Sequence, residues 1–346
     1  MNETVSAHSS DMDETAIDPE LPIVDPHHHL YDIDPTADGP PKPFLFRFML
    51  PDFLDTINAS GHAITHTVYV GAQAFYRLDG PPELRCVGET EFVNGVAAMS
   101  ASGRYGPTRV AAGIVCAADL GLGDQARHVL EAQMAAGNGR LRGVRFSQTW
   151  ASAREPNRAN LFNDARVRRG VAHLASVGLS LDTSCHYSLL PEIADLADAF
   201  PDLTIIICHC GFPFKADSDE AEREAFGVWK KGMSEAARRP NVFAKIGGVY
   251  RFNARAGQAD TDFLPPAGRP PSVRSVDLAG GWRPYVETAI AAFGSSRCMF
   301  ESNSPVDRAV CSYGVLWNSY KHITAGYSAD ERANLFSRTA RTVYKI

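Results

Sequence analysis

Short apolar, β-branched runs recur along the chain, and between them lie longer segments with apolar residues at three- and four-residue spacing. The runs read as strands: Pro22–His29, Ile64–Gly71, Arg109–Cys116, Arg142–Ser147, Leu179–Cys185, Leu203–His209, Val242–Gly247 and Cys298–Asn303. The spaced segments predict helices such as Asp124–Ala136, Leu189–Phe200, Asp219–Arg239, Arg283–Phe293 and Ala329–Thr342. Strands that are apolar throughout belong to parallel sheets covered by helices. Eight alternations predict closure into an α/β fold, a (β/α)8 TIM barrel, which 346 residues suffice to build as one domain. No G-x-G-x-x-G or G-x-x-x-x-G-K-[ST] follows any strand, which removes the main support for a dinucleotide or P-loop fold.

The pattern fails in three places. Residues 1–20 are polar and acidic without apolar periodicity, so a flexible N-terminal tail is expected ahead of a single barrel over 21–346. Asp34–Met49, rich in Pro and Phe, and Gly248–Gly281, rich in Gly, Pro and Arg, read as loop insertions. Both follow strands, where barrel loops form the catalytic face.

A net charge of −6 without any Lys/Arg-rich run argues against a nucleic-acid partner. No apolar run approaches the ~20 residues that span a bilayer, and the N-terminus lacks a signal peptide's basic, apolar start. A cytoplasmic protein without membrane contact is expected, acting on a small-molecule substrate; a homo-oligomer is compatible with the sequence. The seven cysteines are odd in number and lie mostly in apolar runs, where reduced cysteine packs as a small hydrophobe.

The polar residues in the strands carry the candidate chemistry. His27 and His29 share one face of the first strand and His28 takes the other; the pair would bind a divalent metal, polarise a carbonyl, or simply form a hydrogen-bonded cluster. His209 ends a strongly apolar strand at a barrel's catalytic end, as a catalytic group or a satisfied core residue, and His186 ends the strand before it. Arg145 and Lys245 sit inside apolar strands, where a cation needs an anion: a substrate carboxylate or a barrel Asp or Glu. In the last strand Glu301 and Asn303 share a face and Asp307 lies just beyond. Glu301 and Asp307 are the candidates for general base; their structural alternatives are an ion pair with Arg145 or Lys245 and a helix cap or loop contact.

Four segments, Val24-Asp25-Pro26-His27-His28-His29-Leu30-Tyr31-Asp32, Ile207-Cys208-His209-Cys210-Gly211-Phe212-Pro213, Phe243-Ala244-Lys245-Ile246-Gly247-Gly248 and Met299-Phe300-Glu301-Ser302-Asn303-Ser304-Pro305-Val306, resemble the amidohydrolase-related (amidohydrolase 2) family, in its branch of sugar-lactone and pyrone-dicarboxylate lactonases. The resemblance runs from about residue 21 to the end. It implies a barrel in which His27, His29 and His209 hold a divalent metal, Zn2+ first, although some lactonases of this branch work without one. It also shows a departure: Asn303 stands where the family usually has Asp, and Glu301 where many relatives have Gly. An amide cannot act as general base.

Together these readings lead to an expected hydrolase that opens a lactone or cyclic ester of a small carboxylated or hydroxylated substrate. His27, His29 and His209 would polarise the carbonyl, Glu301 or Asp307 would activate water, Arg145 and Lys245, with Asn303, would bind the substrate, and His186 would protonate the leaving alkoxide. The alternatives are metal-dependent nonoxidative decarboxylation of an aromatic acid, which the resemblance also permits, and a non-catalytic ligand-binding barrel.

Overall fold

A computed structural model describes residues 14–32, 47–147, 161–213, 218–248 and 273–346. Its eight strands are β1 (Ile23–His28), β2 (Ile64–Val70), β3 (Arg109–Ala117), β4 (Leu141–Arg145), β5 (Ser180–Thr183), β6 (Ile205–Ile207), β7 (Val242–Ile246) and β8 (Cys298–Phe300). They form one parallel sheet in sequence order. Beyond the end of β8, the His29 amide donates to the Ser304 carbonyl at 2.8 Å and brings the first and last strands together. A helix follows each strand: α1 (Leu50–Ala59), α2 (Val87–Ala101), α3 (Ala126–Gly137), α4 (Ala165–Val177), α5 (Leu190–Ala199), α6 (Asp219–Ala237), α7 (Ser275–Phe293) and α8 (Tyr313–Ile323). The chain ends in α9 (Ala329–Ala333), a π turn (Asn334–Arg338) and α10 (Thr339–Tyr344). The expected (β/α)8 barrel is therefore the fold.

Local chemistry sets the helix ends. Asp164 accepts the first free amides of α4, and Gly178 closes that helix in the left-handed conformation; Ser218 and Ser312 cap α6 and α8. Two apolar clusters follow from the strand pleat. The larger packs strands against helices. The smaller joins Val24, Val68, Val70, Val115, Ile206 and Met299, side chains from five strands that only the barrel interior brings together, with Ala340 and Tyr344 of α10. The last helix thus plugs the barrel floor.

Several boundaries differ from the sequence reading. β6 and β8 end early, at Ile207 and Phe300, because the chain turns left-handed at His209 and Asn303 and leaves the sheet. The Gly248–Gly281 insertion is shorter than expected: α7 already begins at Ser275 and continues across Pro284. The remainder, 249–272, and 34–46 of the other insertion lie outside the described residues, but that insertion's far end returns onto its start, where Phe48 and Tyr31 exchange backbone hydrogen bonds. Of the expected N-terminal tail, residues 1–13 also lie outside them. Residues 14–20 are fastened to the barrel: Glu14 bonds Ser275, the Ile17 amide donates to Asn318, and Lys321 donates to the Ile17 and Asp18 carbonyls. Among the described residues no helix is long and apolar enough to cross a membrane.

Candidate active site

The catalytic end of the barrel is organised by a bulge in β1. Pairing with β2 slips between Asp25 and His28, which resets the strand alternation. His27 and His29 then face the interior, while His28 faces outward, stacked on Phe53 of α1 at 4.5 Å and against Tyr69. Buried Asp25 holds the bulge in place. It accepts from the His27 and Ser302 amides, the Ser302 hydroxyl and the Tyr313 hydroxyl, tying β1 to the turn after β8.

His209 enters from a strained turn. His209, Cys210, Gly211 and Phe212 all have positive φ, from 46° to 67°, and each non-glycine residue there costs about 1–3 kcal/mol. The turn is held by the Trp229 indole, which donates to the Cys210 carbonyl at 2.7 Å, and by Glu301, which accepts from the His209 amide at 2.8 Å. Two glycines make this approach possible. A Cβ on Gly247 would lie 2.3 Å from Glu301 Cγ, and one on Gly248, at φ +68°, only 2.5 Å from His209 Cβ.

Glu301 sits between two imidazoles. Its Oε1 accepts from His209 Nδ1 at 2.7 Å, and its Oε2 lies 2.6 Å from His27 Nδ1 but outside hydrogen-bond geometry. All three side chains are buried. Burial works to raise the Glu301 carboxyl, but the His209 and His27 rings outweigh it and hold it well below the usual carboxylate range. Burial keeps His27 neutral. The cluster is therefore a carboxylate facing two imidazoles, and a cation suits it. Among the described residues His27, His209 and Glu301 form the one group whose ligand atoms all fall within 4.8 Å, and both His27 ring nitrogens and Glu301 Oε2 lack hydrogen-bond partners. The residues fit a divalent metal of the kind that takes nitrogen and carboxylate oxygen.

The other predicted residues take different places. His29 lies beside His27, ring centroids 5.0 Å apart, but stands outside that group; its Nδ1 donates to the Val70 carbonyl at 2.7 Å. Asn303, at φ 49°, donates from Nδ2 to Asp307 Oδ1 at 2.9 Å, and both are buried. Arg145 ends β4 half-buried, donating to the Gly71 carbonyl at 2.7 Å, and forms no ion pair among the described residues. Lys245 has the internal partner that the sequence left open: fully buried, it donates to Asp182 Oδ2 at 2.8 Å and lies over the Tyr344 ring. Burial lowers its pKa, but Asp182 and other nearby anions overcome this and raise it. His186 accepts from the Ser188 amide, with its ring against Tyr187, and burial lowers it to about 4.

Sequence reasoning overlooked Asp182 and Asp25. A carboxylate within an apolar strand, as in Leu181-Asp182-Thr183, was the available signal. Tyr344, whose hydroxyl donates to Asp182 Oδ2 at 2.5 Å, gave none, because it reaches that carboxylate from 162 residues away.

The comparisons with known proteins agree with this geometry. A family described as amidohydrolase matches residues 24–346. An uncharacterized protein, y4mH, from Sinorhizobium fredii is 31% identical over 94% of this chain and 99% of its own. An L-fucono-1,5-lactonase from Burkholderia multivorans is 26% identical over 53% of this chain and 57% of its own length. Among solved structures, an amidohydrolase from Burkholderia multivorans with bound zinc has a TM-score of 0.68 at 25% identity, covering 94% of this chain and 99% of its own. The barrel, its mouth-facing histidines and the match along nearly all of its length make this chain a member of the amidohydrolase family, an enzyme of the amidohydrolase superfamily of hydrolases.

Proposed function

We propose that the protein opens a lactone or related cyclic ester of a small carboxylated or hydroxylated substrate with an activated water. The observation that carries this reading is the buried Glu301 carboxylate between His27 and His209, with the Arg145 guanidinium at the same end of the barrel. The likeness to L-fucono-1,5-lactonases supports the substrate class.

His27, His209 and Glu301 would hold a divalent metal, Zn2+ first, with His29 beside them. When bound, the metal supplies Lewis-acid polarisation of the scissile carbonyl. The remaining work falls to the chain. Glu301 fixes His209 with its proton on Nδ1, leaving Nε2 as the ring's donor atom. Both Glu301 oxygens face imidazoles, so the general base is Asp307, oriented by the Asn303 amide on its Oδ1. The carboxylate the family carries at 303 is thereby replaced by one within hydrogen-bond distance of that position. Arg145, with one Nη on Gly71, directs its other donors to the substrate carboxylate, and His186 stands as the acid for the leaving alkoxide. Lys245 acts through Asp182 as a structural cation, not as a substrate ligand.

The test is turnover of a panel of aldono-1,5-lactones and pyrone dicarboxylates by zinc-loaded protein, with 18O-water to trace oxygen into the product. Lactone opening with one solvent oxygen incorporated supports the reading. Release of CO2 from a hydroxybenzoate, with every lactone untouched, would sink it in favour of decarboxylation.

A further inference from the structure

The opposite, N-terminal end of the barrel carries a second cluster that the catalytic reading does not use. An open cavity of about 350 Å3 there is lined by Arg109 at the start of β3, Arg140 and Arg142 at the start of β4, and His66 of β2. Arg341 of α10 stands beside it, donating to His66 Nδ1 at 3.0 Å and to the Ile346 main-chain oxygen at 3.4 Å. All four arginines are partly buried as residues, with the Arg109 and Arg142 head groups reaching solvent.

Half-buried Arg239 and Arg332 pair with acids, Asp198 and Glu235 for the first and Asp18 for the second, whereas half-buried Arg297 is satisfied by main-chain carbonyls alone. In this cluster none of the four forms an ion pair with a carboxylate side chain among the described residues. Arg109 donates to the Pro107 carbonyl, Arg140 to the Asn94 amide oxygen, and Arg142 to the Gly139 and Leu141 carbonyls. The Arg142 Nε is buried with no acceptor at all. His66, its Nδ1 taken as an acceptor, can offer only an Nε2 proton to the cavity. Gly113 lets the Arg142 side chain lie against β3, since a Cβ there would come 3.1 Å from its Cγ. A chain with six more negative than positive charges has nonetheless gathered like-charged groups around one hollow.

We propose that this hollow is a binding site for a small dianionic oxyanion, a phosphate ester or a dicarboxylate, separate from the catalytic site. Guanidinium forks pair with both anions in bidentate fashion, and the volume suits a small molecule rather than a macromolecular surface. A dianion here relieves the repulsion among the four arginines and bridges β3 and β4 to α10. Arg140 and Arg142 are the principal contacts.

Isothermal titration of zinc-loaded protein at low ionic strength with inorganic phosphate, and separately with succinate, tests the site and tells which anion it prefers. The expected result is saturable binding of one anion per chain, weakened about tenfold or more in R140Q/R142Q and retained in R145Q, which places it away from the barrel mouth. Ala101→Glu introduces a carboxylate at the rim without touching any arginine and is expected to weaken binding to a similar degree. Binding lost in R145Q and kept in both R140Q/R142Q and A101E would overturn the proposal, as would no saturable binding of either anion to the folded protein.

Discussion

The Asn303 amide nitrogen lies 2.9 Å from Oδ1 of Asp307, four residues further along the chain. At the end of β8, where the family resemblance leads one to expect a carboxylate, this chain offers an amide that hands its hydrogen bond to the next carboxylate available. If Asp307 is the base, Asp307→Asn lowers kcat by about 100-fold or more with little change in KM, the range general-base removal produces. Asn303→Asp retains substantial turnover, because the carboxylate then returns to position 303. Steady-state kinetics of the two variants on the same lactone decide this; equal loss in both, confined to KM, would refute it.

If Arg145 anchors a substrate carboxylate, its removal separates binding from chemistry. Its guanidinium is anchored at one nitrogen by the Gly71 carbonyl and meets no acid among the described residues. Arg145→Ala should raise KM for a carboxylated lactone by about 10-fold or more while leaving a neutral lactone nearly unaffected, since a charged hydrogen-bond pair contributes about 1.5–3 kcal/mol. An equal effect on both substrates would count against the anchoring role.

Gly248→Ala tests the packing of the histidine turn. The new Cβ meets His209 at a backbone angle that disfavours side chains, so the variant should lose zinc stoichiometry by elemental analysis and melt at a lower temperature than wild type. Gly280→Ala, where nothing lies within 4 Å, is the control and should retain both.

Lys245→Met leaves Asp182 buried without its cation. The expected loss is about 3–5 kcal/mol in urea unfolding. Pairing it with Asp182→Asn should recover part of that loss. Additive losses in the double variant would argue that the two do not act as a pair.

Lys321 gives a pH signature distant from the active site. Burial lowers it to about 8; Asp18 works to raise it and Arg332 to lower it further. His62, which also faces it, is lowered to about 4 and is neutral above that. Between about pH 8 and the ordinary lysine value of 10.5 the unfolded chain holds a proton that the folded chain has released, so stability rises with pH across that window. Relative to Lys321→Met, the wild-type urea midpoint should climb from pH 8 to 10; a flat or falling difference would contradict the shift.

Much of this was legible in the sequence, for identifiable reasons. Runs such as Leu203-Thr204-Ile205-Ile206-Ile207 admit few readings besides a buried parallel strand, and His27 with His29 followed from simple alternation. Alternation carried back from His27 would have failed at Val24, which also faces the interior, because the bulge between Asp25 and His28 breaks it. The start of α7 was hidden because Gly280, Gly281 and Pro284 dilute its helical signal. Glu301 was identified as chemically active, but its partners could not be read: ion pairing with Arg145 or Lys245 was as consistent with spacing as its placement between His27 and His209. Lys245 instead meets Asp182, because side chains from different strands meet inside a barrel by layer and not by sequence separation.

The floor of the barrel is sealed by Tyr344, packed among strand side chains and bonded to Asp182. Without α10, strands β1 to β8 would pair into a barrel whose interior lacks its plug. The central Asp182–Lys245 pair is open to water from below until α10 docks. Docking of that helix is therefore the step that converts an assembled sheet into a dry core.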